Sequence, residues 1–159
     1  MLLRTLKSNQ TFHFLLIPLI AIALWVKSFM NPALFPFFAG EDMMLLYQPI
    51  NALIGKSIII SDIFALLFII LLAFLILKLN VQYTFIRVRT VLPSILFILI
   101  TSGLHELHAM HPVYPAALFL ILTVDRIFNA YDKEVIHSNA FEAGIFLAIG
   151  SLFYLNLVF

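Results

Sequence analysis

Residues 63–77 contain no polar side chain at all, and four other stretches of this 159-residue chain come close to that. An apolar run of that kind cannot lie on the surface of a water-soluble domain. Hydrophobic residues make up 64% of the sequence and charged residues 11%, against roughly half and a quarter in an average soluble domain. So little polar surface could not enclose the core, so lipid is the expected solvent. The fold class expected is all-α, a polytopic membrane protein with about five transmembrane helices in one domain, residues 1–159. Net charge is +1 with no Lys/Arg stripe, which argues against a nucleic-acid partner. Without cysteine, there can be no disulfide, thiolate metal site or Cys nucleophile.

The five expected spans follow in order. Residues 1–10 carry Arg4 and Lys7 and no acid, and residues 12–26 are then almost wholly apolar up to Lys27. A basic start, an apolar run and the small-x-small sequence Ala21-Ile22-Ala23 are also features of a cleavable signal peptide. Because the run stays apolar through Leu24, Trp25 and Val26, it reads better as a first span, with Pro18 inside it and Trp25 and Lys27 at its far interface. The second span is expected over 58–77, with Asp62 near its start as an interface residue or helix cap rather than a group facing a polar interior. A basic connection over 78–89 leads to a short third span, 91–104, whose Pro93, Ser94, Thr101, Ser102 and Gly103 suggest close helix packing or a water-lined mouth. Pro112 and Pro115 suit the first turn of a fourth span running from Val113 to about Ile127 and closed by Asp125-Arg126. Those two charges read as a solvated interface pair, although neighbours on a helix point apart and do not pair directly. The fifth span is expected over 140–159. There Ala140, Gly144 and Ala148 form a small-residue stripe on which another membrane helix can pack.

Between the first two spans, Pro32, Pro36, Gly40, Pro49 and Gly55 interrupt a segment too short in any piece to cross a bilayer. One or two short interfacial helices are expected there, with Gly40-Glu41-Asp42 opening the first. With the N-terminus in the cytoplasm, seven Lys/Arg (4, 7, 78, 87, 89, 126, 133) fall inside and two (27, 56) outside. That bias sets the expected orientation.

This orientation brings the first loop, with Glu41 and Asp42, to the same outer face as His105-Glu106-Leu107-His108-Ala109-Met110-His111-Pro112. Three of the five histidines lie in that octapeptide. Three readings of it stand. Imidazole and carboxylate suit Zn, Fe or Mn, so His105, His108 and His111 are candidate metal ligands. Their spacing is poor for the purpose, however, since on an α-helix each would be turned about 60° from the last and none has the i,i+4 relation of zinc helix motifs. Alternatively Glu41 or Asp42 is a general base assisted by His105 or His108. In the third reading the histidines are interfacial groups whose polar edges face water and headgroups. The cofactor is left open, and so is the question of whether the chain is an enzyme at all.

The stretches His111-Pro112-Val113-Tyr114-Pro115, Arg126-Ile127-Phe128, Asn139-Ala140-Phe141-Glu142-Ala143-Gly144 and Gly150-Ser151-Leu152-Phe153-Tyr154, with Lys7-Ser8-Asn9-Gln10 ahead of the first span, resemble an uncharacterised polytopic inner-membrane family of Gram-negative bacteria. That resemblance implies a membrane protein longer than 159 residues, of which this chain would be the N-terminal part. The layout is more distantly similar to membrane glycosyltransferases of the GT-C type, which use lipid-linked sugars. In that class a large first outer loop with interfacial helices carries an acidic catalytic residue, which implies Glu41 or Asp42 here. GT-C enzymes have more than five spans, and this chain shows no motif for the sugar-phosphate carrier. The expected function is a non-catalytic membrane subunit or scaffold of an envelope-assembly system, with part of a GT-C-like enzyme as the alternative. A transporter is disfavoured, since the chain has no internal repeat and no mid-span charge.

Overall fold

A computed structural model describes residues 10–32, 40, 44–55, 57–86, 90–131 and 136–157. Every regular element among them is helical: α1 (Gln10–Met30), α2 (Tyr47–Ile54), α3 (Ile58–Tyr83), α4 (Leu92–Gly103), α5 (Val113–Tyr131) and α6 (Ile136–Phe153), with 3-10 turns at His105–His108 and Leu155–Leu157. Three of them, α3, α5 and α6, are long and apolar enough to cross a membrane. At 1.5 Å per residue the 26-residue α3 is about 39 Å long, more than the roughly 30 Å of a hydrocarbon core. The 12-residue α4 reaches only about 18 Å and falls short of a full span by itself.

Helices α1, α3 and α4 pack on one another. Helix α5 leans on α3, and α6 packs mainly on α5. The core is built from Ile17, Ala21 and Trp25 of α1, from Ala65, Ile69, Leu72 and Ala73 of α3, and from Ile98 of α4. The α1 residues recur every fourth position and so share one face, while Leu15, Leu19 and Ile22 point outward. Small residues let the helix backbones approach. At one such approach the Ser94 hydroxyl donates to the Ala73 carbonyl at 2.8 Å, bonding α4 to α3. Ser94 and Ser102 are buried, so they serve packing rather than a wet mouth.

Several boundaries differ from expectation. Helix α3 continues through Lys78 to Tyr83, and the connection becomes non-helical only at Thr84, which takes the left-handed conformation with φ 48°. Helix α5 continues past Asp125-Arg126 to Tyr131. The two charges are not a solvated pair. Asp125 is buried and faces α3, whereas Arg126 reaches Glu142 of α6 at 3.0 Å. Adjacent residues on a helix diverge by about 100°, which sends them to different neighbours. Lys78 approaches Asp125 at 3.6 Å, and the Tyr83 hydroxyl donates to the Asp125 carbonyl at 2.9 Å and reaches its carboxylate at 3.2 Å.

The Lys78 side chain is half exposed, so its ion pair contributes little. Lys78→Gln is therefore expected to change stability by less than about 1 kcal/mol. Asp125→Ala, which removes a buried acceptor shared by Lys78 and Tyr83, is expected to cost about 1–3 kcal/mol. Thermal unfolding of both variants in detergent checks the order.

Helix α6 begins at Ile136 and ends at Phe153, earlier at both ends than expected. Its contact face is also different. Ala143 and Gly150 are buried against α5, whereas Ala140, Gly144 and Ala148 are exposed, and a Cβ added at Gly144 would meet nothing within 4 Å. The small-residue stripe is therefore not an internal packing face.

Candidate functional site

The histidine segment folds against α1, α2 and α3 at the end of the bundle where α4 stops. Leu104 is extended, with φ −97° and ψ 104°, which ends α4; a single 3-10 turn follows and Ala109 is extended again. The segment is thus not an α-helix, and the α-helical spacing of the three histidines does not apply. A non-regular segment in an apolar setting must satisfy its backbone groups from side chains. Both backbone groups of Met110 are satisfied in this way. Its N–H donates to the Ser61 hydroxyl of α3 at 2.9 Å, and its carbonyl accepts from the Tyr47 hydroxyl of α2 at 2.5 Å. The Leu107 carbonyl accepts from the Tyr114 hydroxyl of α5.

His108 is buried. Its Nε2 lies 3.1 Å from the Ser102 carbonyl, and its ring sits 4.4 Å from that of Trp25. The Trp25 indole N–H donates to the Ser102 hydroxyl at 3.0 Å. Trp25 is not an interface anchor, as position alone suggested; it is fully buried, because the turn after α4 folds over it. His111 and Pro112 are buried as well. His108 and His111 therefore face the protein interior rather than water and headgroups.

Of the other candidates, Glu41 and Asp42 lie outside the described residues, as do the side chains of His105 and Glu106. Their pairing with the histidines is not described. Among the described residues no three His, Asp or Glu side chains gather in a way that could hold a metal ion.

The acid that the structure does bring to this end is Asp62. It is 2% exposed, one turn inside α3, and the helix cap position is Ser57. The Ser28 hydroxyl of α1 donates to its carboxyl group. The second carboxyl oxygen, Oδ2, is buried and has no hydrogen-bond partner among the described residues. Ser28 lies one helical turn from Trp25, and Ser61, next to Asp62, holds Met110. The acid is thus part of the same polar layer as the histidine turn. Only its isolation in an otherwise apolar span marked it in the sequence; nothing there marked Ser28, Tyr47 or Tyr114.

Comparison with protein-family models, with curated proteins and with solved structures finds no match to this chain. The functional reading therefore rests on the residues themselves.

Proposed function

We propose that this chain is a multi-pass inner-membrane protein with about five spans and a cytoplasmic N-terminus, acting as a non-catalytic membrane subunit or scaffold of an envelope-assembly system. The observation that carries this reading is the use made of the polar groups at the histidine turn. Tyr47, Ser61, Ser102, His108 and Tyr114 are engaged in hydrogen bonds that join the turn to α2, α3, α4 and α5, and Trp25 bonds α1 to α4 beneath it. Groups held in this way brace a bundle rather than turn over a substrate. The partner surface proposed is the outward stripe of Ala140, Gly144 and Ala148, where a helix of another chain can approach closely. Mild-detergent purification is expected to recover a membrane protein partner with the parent chain and to lose it with Gly144→Leu. Recovery of the chain alone, with or without bound lipid, would overturn the scaffold reading.

For the spans and orientation, cysteines placed at Ala109 and Ala39 are expected to react with an impermeant thiol reagent added to intact cells, and one at Gln82 is not. Labelling of Gln82 would reverse the orientation.

A second reading is part of a GT-C-like enzyme acting on a lipid-linked substrate at the outer face. The family resemblances remain part of this proposal. Asp62 favours it, since a buried acid with one open oxygen beside the histidine turn is the kind of group that intramembrane chemistry employs.

A further inference from the structure

Asp62 is not used by the scaffold reading. Its carboxyl group is buried, accepts one hydrogen bond from Ser28 of α1 and leaves Oδ2 without a partner among the described residues. An ionised carboxylate in that position would be an uncompensated charge in an apolar interior, at a cost of several kcal/mol. Something must neutralise it. A metal cation needs several converging oxygen ligands, commonly six to eight for calcium. Among the described residues, however, no group of three or more acids and histidines gathers to hold a metal. Lys27, next to Ser28 in α1, is solvent-exposed, and Lys78 pairs with Asp125 at the opposite end of α3. Oδ2 has no measurable exposure, so a ligand must also fit without added volume. A proton meets both conditions.

We propose that Asp62 is a proton-binding site within the helix bundle: the folded protein holds it as a neutral carboxylic acid, with the proton on Oδ2 and the carbonyl oxygen accepting from Ser28. This goes beyond the scaffold reading and does not depend on it.

The test is difference infrared spectroscopy of the full chain in lipid nanodiscs, in buffer at about pH 5, where an ordinary aspartate is ionised, made with H2O and with D2O. The parent is expected to show the carbonyl-stretch band of a protonated carboxylic acid, shifted down in D2O. Asp62→Asn, which is isosteric, is expected to lose that band. Ser28→Ala removes the hydrogen bond to the carbonyl and is expected to move the band to higher frequency. Absence of the acid band in the parent would overturn the proposal, as would its persistence in Asp62→Asn. If Asp62→Asn does not fold, Ser28→Ala decides alone, and an unshifted band overturns the assignment.

Discussion

Trp25→Ala is expected to cost about 3–5 kcal/mol of stability, the range for emptying a buried aromatic site. Trp25 is fully buried in α1, donates to Ser102 at 3.0 Å and lies against His108 with ring centres 4.4 Å apart. In a bilayer or micelle the side chain is surrounded by apolar groups in the unfolded state as well. The loss therefore comes mainly from the cavity and the dispersion contacts rather than from transfer out of water. That places the expected value at the lower end of the range. Trp25→Phe keeps one six-membered ring but removes the fused pyrrole with its N–H, and is expected to cost about 1–3 kcal/mol, less than Trp25→Ala, from the smaller cavity and the lost hydrogen bond. Trp25 is the single tryptophan of the chain, so in the parent its fluorescence reports on this turn alone. Denaturation in detergent, followed by circular dichroism for the variants, checks the ranking. A Trp25→Ala loss under about 1 kcal/mol would mean that the turn does not pack over α1.

Gly150→Leu is expected to be the second severe change, at about 1–3 kcal/mol or more for overpacking. A Cβ on Gly150 would already come within 2.8 Å of Leu157 Cδ2, 3.1 Å of Phe119 Cβ and 3.5 Å of the Ala116 carbonyl oxygen. The Leu157 methyl is the end of a flexible side chain and can move aside. Phe119 Cβ and the Ala116 carbonyl belong to α5 and move only with that helix, so a leucine must push α5 and α6 apart. Gly144→Leu on the same helix meets open space and is expected to change the stability of the isolated chain by no more than about 0.5 kcal/mol. Its proposed effect is on a partner. Thermal unfolding of the two purified variants separates the roles. A severe loss from Gly144→Leu in the isolated chain would mean that the stripe packs internally.

The positions of the helices were legible because long apolar runs broken by Pro, Gly and charge leave few choices of segment. Their ends were less so. Lys78 and Asp125-Arg126 read as helix ends, since a charge usually marks the interface. Asp125, buried between Lys78 and Tyr83, instead lies within α5. The candidate site was half legible. The histidine octapeptide stood out by composition, and the structure makes its region a buried polar layer. The roles of its residues depended on partners far along the chain. Tyr47 to Met110, Ser61 to Met110 and Trp25 to Ser102 join residues 63, 49 and 77 positions apart, and no local pattern announces such pairs.

By itself, the sequence determined the solvent and the class. So many consecutive apolar residues can be solvated only by lipid, and in lipid the backbone must bond within each segment, which makes helices. It could not determine which face of each helix is inside. A helix apolar all round carries no amphipathic signal, because lipid and protein core accept the same side chains. That choice fell to shape and to a few polar atoms in the tertiary structure. Gly150 rather than Gly144 faces α5 because its surroundings fit no larger residue. Trp25 and Asp62 lie inside because Ser102 and Ser28 are there to meet them.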